Sequence, residues 1–293
     1  MSPSNVTMNL NASLNGFYSV AANGVNYFTD GHSRLVYSAK FTHKVLDFWG
    51  ITFDDCAVNP TSEYVRAQVR IDADHSYRLG NCFYFGAVLN LNYTGAVNIL
   101  SPSYLKGQDP GYYLTGLGAS FQVDTRDNAT NPHKGVYLLM REVVYPEVLG
   151  TADLTTWATT FNLCGYLPIW KGGILAGDLY AQFNSKNAPW ILCEELGGVM
   201  GRMRGYYAGR YIDANQVAAQ IELRQQIASR FGCVAWVGAG TVFPSLSGLK
   251  WNNMLPNCGI GLRVGFKHNV NFRIDFGIGK ETAGFTFGLN EAF

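Results

Sequence analysis

The stretch Val65-Arg66-Ala67-Gln68-Val69-Arg70-Ile71-Asp72-Ala73-Asp74-His75-Ser76-Tyr77-Arg78-Leu79 decides how the chain folds. Its odd positions are apolar but for His75, and its even positions carry arginines, aspartates, Gln68 and Ser76. In an extended chain successive side chains point to opposite faces, so the segment is a strand with one oily and one heavily charged face. Globular strands average about six residues, and this one is more than twice as long. A strand of that length must border water along one side while its other side meets something apolar.

The alternation returns near the C-terminus. Ile260, Leu262, Val264 and Phe266 oppose Gly261, Arg263 and Gly265. Phe272, Ile274, Phe276 and Ile278 oppose Arg273, Asp275, Gly277 and Gly279, and Phe285, Phe287 and Leu289 oppose Thr286, Gly288 and Asn290. Short polar turns at Lys267–Val270 and Lys280–Ala283 join them into an antiparallel meander. Further strands are expected near 4–12, 16–28, 33–42, 62–79, 82–95, 112–124, 135–146, 154–167 and 173–184. Beyond a long loop come 214–229, 231–243, 257–267, 270–279 and 282–292. Asp213–Arg230 is ambiguous, because Val217, Ile221 and Ala228 also share one side of a helix. Tight connections (Gly80-Asn81, 168–172) alternate with long ones (96–111).

Composition narrows the class. The chain has 293 residues, 22 Lys+Arg against 21 Asp+Glu and a net charge of +1, which argues against a nucleic-acid binder. Charged residues are 15% of the chain, below the roughly 25% of soluble domains, while aromatics reach 14% and hydrophobics 47%, too many for disorder. No apolar run approaches the about 18 residues of a membrane helix; the run at Cys233–Val237 stops at strand length. The six cysteines (56, 82, 164, 193, 233, 258) show neither a CxxC nor a His/Cys metal spacing, and read as buried hydrophobes. A soluble sandwich would not put so many arginines and acids on the second face, and no propeller repeat is visible. The pattern predicts an all-β, transmembrane, antiparallel up-and-down β-barrel of about 14 strands, with tight turns at one end and long loops at the other.

Several motifs resemble the BamA/TamA superfamily of outer-membrane assembly and translocation barrels, of the bacterial surface antigen type. Met203-Arg204-Gly205-Tyr206, in the long loop Asn184–Ala214 with Leu196-Gly197-Gly198, is similar to the family's loop motif, which folds back into the lumen. Asp124, Arg126 and Asp127, with Pro132 and Gly135, resemble its periplasmic turn. Ala239–Phe243 resembles the glycine-rich strand after the loop. Gly288, Phe287, Leu289 and Phe293 resemble its terminal β-signal, although a hydrophobic position of that signal falls here on Glu291. Order and spacing over residues 110–293 carry the resemblance. Phe293 also reads as a plain interfacial aromatic anchor.

An arginine on a returning loop would sit in a partly desolvated bore and need a carboxylate. The resemblance implies two acids, on the next strand and the one after. Glu222 fits the first, the second falls on Gly238, and Trp236 is placed to stack on Arg204. One ion pair plus a stack is therefore expected. Family barrels have about sixteen strands, against about nine before the loop and five after it here. With Met1–Asn5 unlike a secretory signal, the resemblance implies that a signal and two strands, and any POTRA domains, lie upstream. The alternative is a fourteen-stranded barrel starting at Met1.

No nucleophile elbow, P-loop or zinc-protease motif is present, the histidines (32, 43, 75, 133, 268) are isolated, and neither enzyme activity nor a cofactor is expected. The resemblance implies a bacterial outer-membrane location, contact with outer-membrane lipid, and client outer-membrane proteins or periplasmic or lipoprotein partners. Clients would enter through a seam between first and last strands, which Gly284 and Gly288 weaken. The competing reading is a passive pore or structural barrel in a larger envelope complex.

Overall fold

The computed structural model describes residues 4–13, 16–197, 202–267 and 270–293; Gly198 and His268 lie outside them. Nine strands precede the long loop: β1 Asn5–Ala12, β2 Tyr18–Tyr27, β3 Ser33–Phe48, β4 Ser62–Leu79, β5 Phe83–Val97, β6 Gly111–Asp124, β7 Gly135–Tyr145, β8 Thr156–Trp170 and β9 Gly173–Asn184. Within the loop, β10 Glu194–Leu196 pairs with β11 Tyr211–Asp213 as a separate ribbon. Five more follow: β12 Asn215–Gln226, β13 Phe231–Phe243, β14 Leu255–Lys267, β15 Val270–Gly279 and β16 Thr282–Leu289. All but the ribbon form one 14-stranded sheet in chain order. The ambiguous segment 213–230 is strand β12, because β9 and β13 offer its backbone a ladder on both edges.

Boundaries depart from the pattern where neighbours extend a ladder or a residue breaks one. β3 runs on to Phe48 because β4 pairs with it down to Ser62. β16 stops at Leu289, where Asn290 takes a left-handed conformation (φ +64°). The connection after β3 holds one short helix, α1 Phe53–Val58, capped by the Thr52 hydroxyl accepting from the Asp55 N–H.

The chain divides into two compact units. One comprises Met1–Gln122, Met140–Thr160 and Phe183–Cys193; the other comprises Val123–Leu139, Phe161–Gln182 and Glu194–Phe293. Burial in each is inside-out relative to a soluble protein. In the first, Ser76, Asn90, Asn92 and Thr94 are buried, while Val69 (38%), Ile71, Phe85 and Tyr93 are exposed. Arg34 donates to Ser76 Oγ (3.1 Å) and to Gln122, and Arg141 forks onto Asp72 (2.9 and 2.5 Å). At its long-loop end Trp190 donates to Asp109 O (2.9 Å) and packs edge-on against Tyr64. In the second, Glu222, Asp275 and Thr241 are buried while Ile260, Val237 and Phe285 stand exposed. Polar faces satisfied by one another and apolar faces left bare suit a sheet whose outer solvent is lipid.

Candidate functional site

The site lies in the second unit, where residues 202–210 rest on the inner faces of β12 to β15. Cross-strand register sets its floor. Glu222 on β12 pairs with Trp236 on β13, Trp236 with Gly259 on β14, and Gly259 with Gly277 on β15. The row therefore runs from acid to indole to two bare backbones. The indole needs the glycine beside it, since a Cβ on Gly259 would stand 2.3 Å from the Trp236 ring.

Arg204 lands on this row, 1% exposed. Its Nη2 donates to Glu222 Oε2 (2.6 Å) and its Nη1 to Asp275 Oδ2 (2.9 Å). Its guanidinium lies 3.5 Å from the Trp236 ring centroid. Glu222 and Asp275 are each shared with a second arginine, Arg224 (2.8 Å) and Arg263 (2.6 Å). The arrangement is a buried chain of alternating charges, in which each carboxylate accepts from two guanidiniums.

The rest of the loop motif supports that arginine. Met203, itself buried, takes φ +50°, and Gly205 takes φ +103°. The loop backbone touches the strand backbone here, since a Cβ on Gly205 would lie 2.6 Å from Gly277 C, and one on Gly277 2.4 Å from Arg204 O. Thr282 donates to Gly205 O (2.8 Å), and the Tyr206 hydroxyl donates to Pro256 O and accepts from the Lys280 N–H (both 2.8 Å). A second arginine, Arg202, forks onto Asp178 of β9 (2.7 and 2.9 Å) over the Tyr180 ring.

The geometry thus joins Met203, Arg204, Gly205 and Tyr206 with Glu222 and Trp236, and adds Asp275, Arg263, Gly277 and the Arg202–Asp178 pair, which the motif reading missed. The expectation of a single ion pair is corrected: Asp275 supplies a second carboxylate. Its signal was its place on the polar face of β15, opposite Gly261, where a Cβ would stand 2.0 Å from Asp275 Oδ1.

With this geometry in hand, the comparisons decide the family. A profile described as the Omp85 superfamily domain matches residues 5–293. The chain belongs to the Omp85 superfamily. A structure of BamA from Haemophilus ducreyi lacking POTRA domains 1–3 superposes with a TM-score of 0.64 at 13% identity, covering 98% of this chain and 64% of that one. CdiB from Acinetobacter baumannii gives 0.59 at 11% identity, covering 94% and 50%. The chain thus spans less than two thirds of either structure. No curated protein sequence matches it significantly. As a member of the superfamily it is an outer-membrane β-barrel, the fold that those two structures share.

Two further superfamily-like motifs lie at the tight-turn end of the same unit, while Ala239–Phe243 forms the last residues of β13. In the turn 125–134, Arg126 forks onto Asp124 (2.9 and 2.8 Å) over the Tyr137 ring, and Asp127 accepts from the His133 and Lys134 N–H groups (2.9 and 3.2 Å). Burial raises the Asp127 carboxyl, but those two N–H groups and the His133 ring outweigh it and hold it below its ordinary value. Arg126 is likewise held above its ordinary value by Asp124, against its own burial. Pro132 is buried, and Gly135 (φ +107°) closes the turn against Thr125 O. On β16, Phe287 and Leu289 face outward, whereas Phe293 turns in and stacks on Tyr166 (centroids 6.3 Å apart). Phe293 therefore does not stand on the outward face as an interfacial anchor would. Among the described residues no group of His, Cys, Asp and Glu could hold a metal ion.

Proposed function

We propose that this chain is the membrane-embedded part of a protein assembly or translocation factor, which inserts or passes client proteins by letting their strands pair at an edge of the sheet. The observation that carries the reading is the Arg204 lock. A loop fixed across the inner faces of β12–β15 makes that wall stiff, so that opening is confined to other strands. β1 and β16 are the end strands in the sheet order and have 8 residues each, and β1 is exposed on both faces. An edge strand with unpaired N–H and C=O groups is a template for an incoming strand. Clients would be outer-membrane proteins, with periplasmic or lipoprotein partners delivering them, and the role is non-catalytic.

The test is site-specific photocrosslinking along Thr282–Phe293 in cells. Adducts with nascent outer-membrane proteins support the assembly reading. Ion conductance in planar bilayers with no adducts supports a passive pore instead.

A further inference from the structure

The end of the chain leaves the membrane-facing ladder and enters the charged network of the second unit. After Leu289 the backbone turns at Asn290 (φ +64°), whose N–H donates to Asn271 O (2.6 Å), and the Glu291 N–H donates to Thr130 O (3.3 Å). Glu291 Oε2 accepts from Arg263 Nε (2.7 Å) and Oε1 from Asn271 Nδ2 (2.8 Å). The Phe293 ring packs against both Tyr166 and the Arg224 guanidinium, which lies 5.1 Å from its centroid and 5.4 Å from that of Tyr166, and Arg224 Nη2 donates to the Phe293 main-chain oxygen (3.0 Å). Three features are read: a carboxylate, an aromatic ring two residues later, and the main chain at the Glu291 N–H and the Phe293 oxygen.

From these contacts we propose that the inner end of β12, β14 and β15 is a recognition site for an extended peptide carrying a carboxylate two residues before an aromatic, and that Glu291–Phe293 fills it as a displaceable occupant. Charge explains the selectivity. Four guanidiniums, Arg204, Arg224, Arg263 and its cross-strand partner Arg273, face two strand-borne carboxylates, Glu222 and Asp275; Glu291 is the third. With the tail in place the Arg224 and Arg263 side chains are only 6% and 5% exposed, and Glu291 offsets one of the two positive charges that the strand-borne acids leave over. Arg224 keeps Glu222 and Arg263 keeps Asp275 without the tail, so the site stays paired but carries an excess of positive charge, which favours an acidic occupant. Among the described residues Arg224 Nη1 and Arg263 Nη2 still lack acceptors. A cavity of about 640 Å³ adjoins the tail, lined among others by Arg224, Arg263, Asn271, Glu291, Trp170 and His133, and gives an incoming segment room. The tail is held by these few contacts and by no ladder beyond Leu289, so exchange is feasible.

The site's chemistry stands on its own geometry; that the incoming segment is the end of a client strand rests on the assembly reading. The probe is the labelled peptide Leu-Asn-Glu-Ala-Phe, with the sequence of residues 289–293, titrated by fluorescence anisotropy against the full chain in detergent micelles. A tethered tail competes at an effective concentration near millimolar, so wild type should bind the peptide poorly and E291A/F293A should bind it well. The Glu→Gln peptide, and R263M added to E291A/F293A, should each weaken binding roughly tenfold or more, the loss expected for a buried charge-assisted pair. A folded E291A/F293A chain that binds no better than wild type, or binds the Gln peptide equally, overturns the proposal. Should that variant not fold, E291Q, which keeps the tail's shape, is judged by the same two criteria. Insertion of clients by wild type without any peptide binding to either variant sinks this site and leaves the assembly reading; peptide binding without insertion does the reverse.

Discussion

Replacing Arg204 with alanine removes two charge-assisted hydrogen bonds, to Glu222 at 2.6 Å and Asp275 at 2.9 Å, and a guanidinium stacked 3.5 Å over Trp236. Bonds to charged groups contribute about 1.5–3 kcal/mol each, and a desolvated cation–π contact about 2 kcal/mol, so the gross loss is about 5–8 kcal/mol. Two effects offset it. The desolvation of a buried guanidinium, several kcal/mol, disappears with the side chain. Neither acid is orphaned, because Glu222 keeps Arg224 and Asp275 keeps Arg263. The expected net destabilisation therefore falls near the low end of the range for breaking a buried pair, about 3 kcal/mol, or roughly a hundredfold in the unfolding equilibrium. The assay is urea unfolding of the chain in lipid or detergent, followed by heat-modifiable migration and protease protection of residues 202–210. Arg204→Lys should recover less than half, since an ammonium cannot fork between two carboxylates while stacking. An Arg204→Ala barrel within about 0.5 kcal/mol of wild type, the spread of neutral surface changes, with the loop still protected, would refute the lock.

Gly277→Ala places a Cβ 2.4 Å from Arg204 O, so the loop must lift off the strand; the expected cost is about 1–3 kcal/mol, read by earlier proteolysis within the loop. Ile71→Arg puts a charge on the outward face of β4, and should destabilise the folded barrel in bilayers by about 2–4 kcal/mol if the position lies near the midplane, measured by reversible unfolding in vesicles. The β2–β3 turn should carry an acid-labile clip. The Ser33 hydroxyl and the Ser33 and His32 N–H groups hold the Asp30 carboxyl at about 2, below its ordinary 3.8. A depressed carboxylate contributes fully above its unfolded value and is lost as pH falls through the folded one. Protection of residues 28–33 against hydrogen exchange, corrected for intrinsic rates, should hold above pH 3.8 and fall toward pH 2; Asp30→Asn should abolish that dependence, and an unchanged profile in the variant would exclude the clip.

The strands were legible in the sequence because their signal is local. The alternation from Val65 to Leu79 marks both faces of β4 without reference to any neighbour, and the tight turns mark where hairpins close. The resemblance likewise located Arg204, Glu222 and Trp236, since register between adjacent strands β12 and β13 follows from the short turn joining them. Asp275 was not found, because it reaches Arg204 from a strand three places along the sheet, across the space that Gly259 and Gly261 leave open. Periodicity tells which face a residue occupies, and says nothing of which distant side chain on that face it will meet.

The amino-acid sequence by itself determined the period-two strands of the main sheet and their oily and polar faces, set by alternation and turn chemistry within single hairpins, while the inturned loop motif came from the superfamily resemblance. Only the tertiary structure decided that residues 213–230 extend rather than coil, that two carboxylates share Arg204, and that Glu291 and Phe293 turn inward. Each of those outcomes depends on hydrogen bonds or charges contributed by chain that is remote in sequence, and such partners meet only once the sheet has assembled.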